Sequence, residues 1–304
     1  MQNTVKFDIV KRFKIFALVA VLCVLPGLTA LVGAPFGLQL FNLDVDFVGG
    51  TTMHYALHKT VSADDIEAVY RLVEETTGSP ASSVVTTGDG TEVIIKMLSI
   101  PAETRDAVHE SMKAQFSLDD NSRLNVDNVS PAVGKDLRTS AFKAAGVAAV
   151  LMLIYITFRF SFTSGAAAVI CLLHDVLVML SACVVLRISI NTGFIAAALI
   201  IFGYSINASI ITFDRIRENG KLMQRESRDT LVNVSIWQTF SRTVNTTLTT
   251  LFTIVVLFIL GVPSIRNFSL PIIIGIVCGA YSSTFLAGPL WAAMKKAKAS
   301  KGAM

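Results

Sequence analysis

The residues best suited to chemistry are a few ionisable side chains inside strongly apolar stretches. His174 and Asp175 lie near the middle of the apolar run 165–186, and Arg242 lies just inside the run 241–262. Ionisable groups at such a depth are costly in lipid, so they usually face a protein interior or water. A histidine–carboxylate pair of this kind can lie on a proton path, or it can be a structural pair that satisfies itself. The residue types alone favour neither interpretation.

Arg242 and the threonines that follow it indicate a second polar region. An arginine keeps its proton, so Arg242 would act by stabilising the charged form of a carboxylate across a helix interface. Nearby threonines either line a wet path or hydrogen-bond to carbonyls of their own helix. These threonines are Thr243, Thr246, Thr247, Thr249 and Thr250.

Nothing in the sequence indicates an enzyme. There is no nucleophile–base pair and no phosphate-binding Walker element, and the four histidines are scattered at His54, His58, His109 and His174. The four cysteines lie inside apolar runs without zinc-type spacing, which is typical of small packing residues. We therefore expect no catalytic activity, no cofactor and no metal.

The elements that position these residues are predicted to be membrane-spanning helices. The chain of 304 residues is 53% hydrophobic and 16% charged, whereas a soluble domain carries roughly a quarter charged residues. A span needs about 20 mostly apolar residues. Because five further runs follow the first, we interpret the first as a retained anchor and not as a cleaved signal. Six windows qualify: 13–33, 141–158, 165–186, 192–213, 241–262 and 268–293.

The charge distribution predicts the orientation of these spans. Residues 35–139 carry 16 acidic and 8 basic side chains, and the remainder carries 6 acidic and 18 basic ones. The basic residues flank apolar runs, which excludes a nucleic-acid surface, and basic loops stay in the cytoplasm. We predict a multi-pass membrane protein with both termini cytoplasmic. Its segments are the N-terminus with span one (1–34), an extracytoplasmic domain (35–139), spans two to six (140–294) and a basic tail (295–304).

The segment 35–139 shows the pattern of a small α+β domain. Alternating apolar residues from Val45 to Leu57 predict a strand with a bulge or bend at the paired glycines, Gly49 and Gly50. Ser62 and Asp65 resemble a helix-capping box. Strands on either side of the turn 88–90, a helix after Pro101 and a strand near 124–129 complete a β-α-β-β-α-β order. This order is the ferredoxin-like arrangement.

Short motifs occur in a fixed order along the chain, beginning with Asp-Phe-Val-Gly-Gly-Thr at 46–51 and Val-Gly-Lys-Asp-Leu at 133–137. They resemble the SecF family of protein-export subunits, within the resistance-nodulation-division superfamily. The family's Asp-Phe-x-Gly-Gly-Thr element matches 46–51, and its Val-Gly-x-Asp/Glu-Leu element matches 133–137. Further matches lie at 155–160, 173–176, 203–207, 213–219, 242–243 and 279–283. The matched positions singled out here are Asp46, Gly49, Gly50, Asn207, Asp214 and Arg215.

The resemblance implies a non-enzymatic subunit of the bacterial cytoplasmic (inner) membrane that assists SecYEG-mediated protein export. Its work would be driven by the ion-motive force, such as the proton-motive force, with protons or sodium as the coupling ion. The resemblance also implies SecD, the SecYEG channel, exported preproteins, membrane lipids and a YajC-type accessory subunit as partners. The paired glycines would either allow a tight turn or contact a partner. Arg159, Asp214 and Arg215 lie at span ends, where snorkelling and helix capping explain charge without a mechanism. The basic and acidic stretch 214–240 is predicted to be a solvated loop.

One position departs from the family pattern. Members that transfer protons usually carry Asn-Asp in span four, whereas this chain has Asn207 and Ala208. Three accounts remain open. SecD supplies the only titrating carboxylate opposite Arg242, another group such as Asp175 has taken the role, or the subunit is a scaffold without ion coupling. A half-size efflux transporter of lipids or small hydrophobic molecules is the alternative function.

Overall fold

The computed structural model describes residues 7–38, 40–87, 90–261 and 263–301. The chain divides into two compact units. The first, called the helical unit here, consists of Met1–Asn42, Lys143–Ser189 and Gly193–Met304. The second, called the sheet unit, consists of Leu43–Phe142 and Ile190–Thr192. The ends of the predicted terminal segments, residues 1–6 and 302–304, lie outside the described residues.

Six helices in the described part of the chain are long and apolar enough to cross a membrane, which confirms the six predicted spans. The first five are α1 Phe13–Gly33, α5 Pro131–Arg159, α6 Phe162–Val185, α7 Thr192–Leu222 and α8 Arg228–Leu260. The sixth span, Ile265–Lys296, combines α9 Pro263–Tyr281, a π-helical segment Ser282–Ala287 and α10 Gly288–Lys301.

The spans differ strongly in how much of their surface the chain itself covers. The apolar windows of α6, α7 and the sixth span are 39%, 50% and 56% buried, whereas those of α1, α5 and α8 are 17%, 6% and 11% buried. Small residues such as Ala167, Ala168 and Cys171 lie in the core of the helical unit. α6 also packs tightly on α1, where Gly27 N donates to Ser181 Oγ at 2.8 Å. The centre of the unit therefore lies around α6, α7 and the sixth span.

The predicted solvated loop at 214–240 is wrong, because most of it is helical. α7 continues to Leu222 and α8 begins at Arg228, where Ser227 Oγ accepts from Thr230 N at 3.1 Å. The Asn219 side chain donates to Ser235 Oγ at 2.8 Å and to Gln238 Oε1 at 2.7 Å, which ties the two helix ends together. Hydropathy windows miss such extensions, because a helix can continue beyond its apolar run when its polar residues pair with one another.

The sheet unit follows the predicted element order. Its four strands form an antiparallel sheet in the order β2-β3-β1-β4, and Thr51 lies opposite Met97 and Asn128. Met53, Tyr55 and Ile95 are among the fully buried residues of its core. Its elements are β1 Gly50–Ala56, α3 Ala63–Thr77, β2 Ser83–Thr87, β3 Glu92–Met97, α4 Ala102–Phe116 and β4 Arg123–Val129.

Local signals explain where the elements of the sheet unit begin. The predicted capping box is confirmed, because Asp65 N donates to Ser62 Oγ at 3.2 Å and Ser62 N donates to Asp65 Oδ2 at 2.9 Å. A hydrogen bond from Lys59, followed by those from Ser62, lowers the pKa of Asp65 to about 2. In the predicted turn at 88–90, Gly88 and Asp89 lie outside the described residues.

The predicted start of the first strand is wrong. Residues Val45–Val48 form a short helix, α2, because the Asp44 carboxylate accepts from Val45 N at 2.8 Å and caps it. Gly49 then turns the chain at φ +80°, and β1 starts only at Gly50. Val45 and Phe47 are both buried although they lie on nearly opposite sides of this short turn, which gives the same alternating pattern as a strand. The only register shift recorded between β1 and β4 lies at His54, not at the glycines.

Candidate functional site

Asp175 is the centre of a fully buried polar cluster in the helical unit. It lies in the middle of α6 with none of its surface exposed. Its Oδ1 lies 2.9 Å from His174 Nδ1. Its Oδ2 accepts from Ser205 Oγ of α7 at 2.5 Å and from Ser282 Oγ of the sixth span at 2.8 Å. One carboxylate thereby joins three spans.

His174 extends this cluster towards the first span. Its side chain is 12% exposed, and its Nε2 is buried without a hydrogen-bond partner among the described residues. The imidazole lies against Tyr281 with ring centroids 6.3 Å apart. Tyr281 Oη donates to the Phe16 carbonyl of α1 at 2.8 Å. His174 is therefore held on one side by Asp175 and on the other by an aromatic contact.

The sixth span changes its helical geometry at this cluster. Ser282 is the first residue of the π-helical segment and is fully buried, as is Ser283. A π-helical turn widens the backbone locally and is frequent at functional sites. The sequence motifs included Ser205 and Ser282, but their role as donors to Asp175 was not predicted. Serines within apolar runs give a weak signal, because such hydroxyls also bond to their own helix.

Arg242 does not join the Asp175 cluster. It is exposed on α8, and in the part of the chain that the structure describes it forms no ion pair and no side-chain hydrogen bond. Asn207 is exposed on α7, whereas Ala208 is buried in the helical unit with 9% of its surface exposed. The structure therefore does not bring the predicted ion-coupling residues together: His174 and Asp175 form one site, and Arg242 faces outward.

The threonines of α8 mostly bond to their own helix. The Oγ1 atoms of Thr243, Thr246, Thr249 and Thr250 donate to carbonyls four residues earlier. Thr247 instead accepts from Tyr204 Oη of α7 at 3.1 Å. These contacts favour the local interpretation over a continuous wet path.

Exposed polar residues nonetheless form a line along α8, called the Arg242 stripe here. Its members recur at intervals of three and four positions, which places them on one helix face. All of them are exposed. They are Arg242, Asn245, Thr246, Thr249 and Thr253.

The two predicted motifs of the sheet unit pack against each other. A Cβ on Gly49 would lie 2.6 Å from Pro131 Cα and 2.7 Å from its nitrogen, and a Cβ on Gly134 would lie 3.1 Å from Gly49 N. Gly50 has φ +149°, and its Cβ would lie 2.6 Å from the Met97 carbonyl. This crowding favours the tight-turn interpretation of the paired glycines. Asp46 Oδ2 accepts from Thr192 N at 2.9 Å and from its hydroxyl at 2.7 Å.

Asp214 and Arg215 make contacts of a structural kind at the end of α7. Asp214 pairs with Arg217 at 3.2 Å. Arg215 donates to Gln238 Oε1 of α8 and to Glu218, both at 2.6 Å. These contacts favour a helix-end role for both residues. Among the described residues there is no group of histidine, cysteine and carboxylate side chains able to hold a metal ion.

Known proteins resemble this chain over most of its length. The family model "Protein export membrane protein SecD/SecF, C-terminal" matches residues 108–297. The protein translocase subunit SecF of Alicyclobacillus acidocaldarius is 37% identical and covers 96% of this chain and 96% of its own. The protein translocase subunit SecDF of Bacillus subtilis is 33% identical over 84% of this chain, which corresponds to 34% of SecDF.

A solved structure agrees with these sequence matches. The crystal structure of SecDF from Thermus thermophilus, described as a translocon-associated membrane protein, matches with a TM-score of 0.84 and 35% identity. The match covers 97% of this chain and 40% of that chain. This chain therefore spans less than half of the SecDF proteins it resembles and nearly the full length of the Alicyclobacillus acidocaldarius SecF subunit. It belongs to the SecF family of protein translocase subunits.

Proposed function

We propose that this chain works in protein export as one half of a SecDF-type complex, with a SecD subunit bound along the Arg242 stripe. The proposal rests on Arg242, which is exposed within a span and has no side-chain partner among the residues that the structure describes. A charged side chain facing lipid costs several kcal/mol and almost always has a protein or water partner. The fused SecDF relatives support SecD as that partner, because their additional length holds the other half.

The weakly covered spans support the same proposal. The windows of α5 and α8 are only 6% and 11% buried, and α8 is the span that carries the polar stripe. Asparagines and threonines hydrogen-bond across helices in membranes, where interhelical polar contacts and close packing drive association. A partner helix with a carboxylate opposite Arg242 would form a charge pair, and its protonation would break that pair. The proton-motive force would drive movement through such a step.

The remaining features of the proposed assembly follow from charge and family. The sheet unit, with its ferredoxin-like element order, would lie on the extracytoplasmic side of the membrane. Both termini would lie on the cytoplasmic side. From the extracytoplasmic side, the sheet unit would assist SecYEG in moving preproteins, with membrane lipids and a YajC-type subunit as further contacts. Position 208 is alanine, so the titrating carboxylate opposite Arg242 would belong to SecD.

Copurification and export test the proposal together. Tagged chain is expressed with SecD and extracted in mild detergent, and precursor export is measured in SecYEG vesicles with and without a proton gradient. We expect SecD to copurify and the gradient to accelerate export. Arg242→Ala is expected to abolish that acceleration because the charge pair is lost. Arg159→Ala, which removes an exposed arginine at the end of α5, is the matched control and is expected to retain it.

Three outcomes would contradict the proposal. If the chain copurifies only with itself, the half-size efflux transporter becomes the better interpretation. If the gradient accelerates export equally with Arg242→Ala, the Arg242 stripe is not the coupling surface. If the gradient has no effect on export with the unaltered chain, the chain is a scaffold without ion coupling.

A further inference from the structure

The contact between His174 and Asp175 fixes where one proton lies. The imidazole Nδ1 and the carboxylate Oδ1 are 2.9 Å apart. Two lone pairs repel at this distance, so a proton must lie between the two atoms. When the pair holds this proton alone, Asp175 is charged, His174 is neutral, and Nε2 is an acceptor. The net charge of the pair is then −1.

A second proton changes the pair in one definite place. If it adds to the imidazole, the pair becomes an imidazolium and a carboxylate. If Asp175 takes the inner proton, His174 becomes the neutral Nε2–H tautomer. In both cases the new bond is Nε2–H and the net charge becomes zero, without transfer of electrons. In both cases protonation creates a donor at Nε2, and the two serine hydroxyls that already donate to Oδ2 disfavour addition of the proton to that oxygen.

Neither state is fully satisfied in the arrangement that the structure describes. The singly protonated state has three donors, from His174, Ser205 and Ser282, but no lysine or arginine pairs with the buried charge in the described residues. The doubly protonated state is neutral, but its Nε2–H is buried and has no acceptor among the described residues. A buried unpaired donor costs about 1–3 kcal/mol. A second packing that supplies an acceptor would therefore be favoured after protonation.

The groups around the pair do not compensate its charge. On α6 the titratable neighbour is Cys171, and the sixth span contributes Cys278 and Tyr281. Cys23 of α1 is within electrostatic range of Cys278 and Tyr281. Thiols and phenols are neutral or negative, so none supplies a positive charge. α7 contributes only the Ser205 hydroxyl.

The geometry points to the His174–Asp175 pair as a proton-binding site of this subunit, whose occupancy changes the packing of α6 against the π-helical segment. Its use in export rests on the proposed function, whereas its chemistry does not. Protonation lowers the negative charge of the pair, which the two serine hydroxyls stabilise at Oδ2. It also leaves an Nε2–H donor without an acceptor among the described residues. The sixth span bonds to the carboxylate through Ser282 and lies beside the imidazole through Tyr281. This chain can thus bind a proton within its spans although Ala208 cannot carry one.

Nitrogen-15 NMR of histidine-labelled full-length chain in liposomes tests this site directly. The His174 signal is assigned by its loss in His174→Gln, and spectra are recorded from about pH 8 to about pH 5. We expect Nε2 to change from an unprotonated to a protonated nitrogen. Asp175→Asn is expected to displace the change to lower pH, because the carboxylate charge no longer favours the second proton. Asp214→Asn, which removes an exposed carboxylate at a helix end, is the control and is expected to leave it in place.

A milder variant keeps the test decisive if Asp175→Asn does not fold. Ser205→Ala preserves the carboxylate and removes one of its three donors. Loss of a hydrogen bond to the charged form is expected to raise the midpoint by about one to two pH units. An Nε2 that stays in one state throughout, a midpoint that is unchanged in Ser205→Ala, or a transition that follows sodium and not pH would overturn the proposal. The measurement uses neither SecD nor export, so its failure is distinct from failure of the proposed complex.

Discussion

Gly49→Ala gives a sharp test of why the paired glycines are present in the sheet unit. Gly49 has φ +80° and ψ 152°, a region that is essentially reserved for glycine and costs other residues about 1–3 kcal/mol. The new methyl would also lie 2.6 Å from Pro131 Cα. Because the obstacle is backbone and not a flexible side chain, relief of the overlap costs about another 1–3 kcal/mol. We expect a total loss of about 2–6 kcal/mol in the free energy of unfolding.

Protease resistance in urea measures this loss on the full chain in nanodiscs. Fragments of the sheet unit are quantified after a brief protease pulse at each urea concentration, which gives the midpoint of unfolding. Gly78→Ala is the matched control. Gly78 also has a positive φ, +70°, but a Cβ there would meet nothing within 4 Å. It is expected to cost only the left-handed strain, about 1–2 kcal/mol.

The comparison separates the two interpretations of the motif. If Gly49→Ala costs no more than Gly78→Ala, crowding against Pro131 is not the reason for glycine. If the sheet unit stays stable with Gly49→Ala while SecD binding or export is lost, contact with a partner is the reason. Either result would refute the tight-turn argument.

Two further predictions concern packing and pH. Gly27→Ala is expected to destabilise the helical unit by about 2–4 kcal/mol in thermal unfolding, because its Cβ would lie 2.8 Å from Ser181 N and would disturb a buried hydrogen bond. Gly146→Ala, whose Cβ meets nothing within 4 Å, is the control, and an equal effect would contradict the packing argument. The hydrogen bond from Lys59, with those from Ser62, lowers the pKa of Asp65 to about 2. The charged Asp65 carboxylate therefore stabilises the folded state at pH values above the unfolded-state pKa of Asp65. This contribution is lost as the pH falls through about 2. Asp65→Asn is therefore expected to cost about 1 kcal/mol near neutral pH and almost nothing near pH 2, and a difference from the unaltered chain that persists at acid pH would refute this linkage.

The elements that hydropathy and capping determine could be predicted from sequence. The six spans follow from long apolar runs, and α3 follows from the capping box of Ser62 and Asp65, because both signals are local. The helix at 45–48 was missed because apolar residues at 45 and 47 fit a strand as well as one helical turn. The ends of α7 and α8 were missed because their polar residues satisfy one another across the two helices.

The candidate site was predictable only in part. His174 and Asp175 were evident as ionisable residues in an apolar run. Their partners were not, because Ser205 and Ser282 lie 30 and 107 positions from Asp175 along the chain. A serine in a span bonds to its own helix, to another helix or to water, and only packing decides among these. The outward orientation of Arg242 likewise depends on which face of α8 the rest of the chain covers.

The π-helical segment makes the length of the sixth span a determinant of the site. A π-helical turn is equivalent to one additional residue in an α-helix, and each residue of an α-helix turns the chain by about 100°. Deleting one residue between 283 and 287 would restore regular α-helical geometry. Because the π turn absorbs this one residue, α9 and α10 would keep the faces they now present, and the change would be confined to the widened backbone beside Ser282. Insertion or loss of a single codon would therefore alter this site without changing any side chain that touches Asp175.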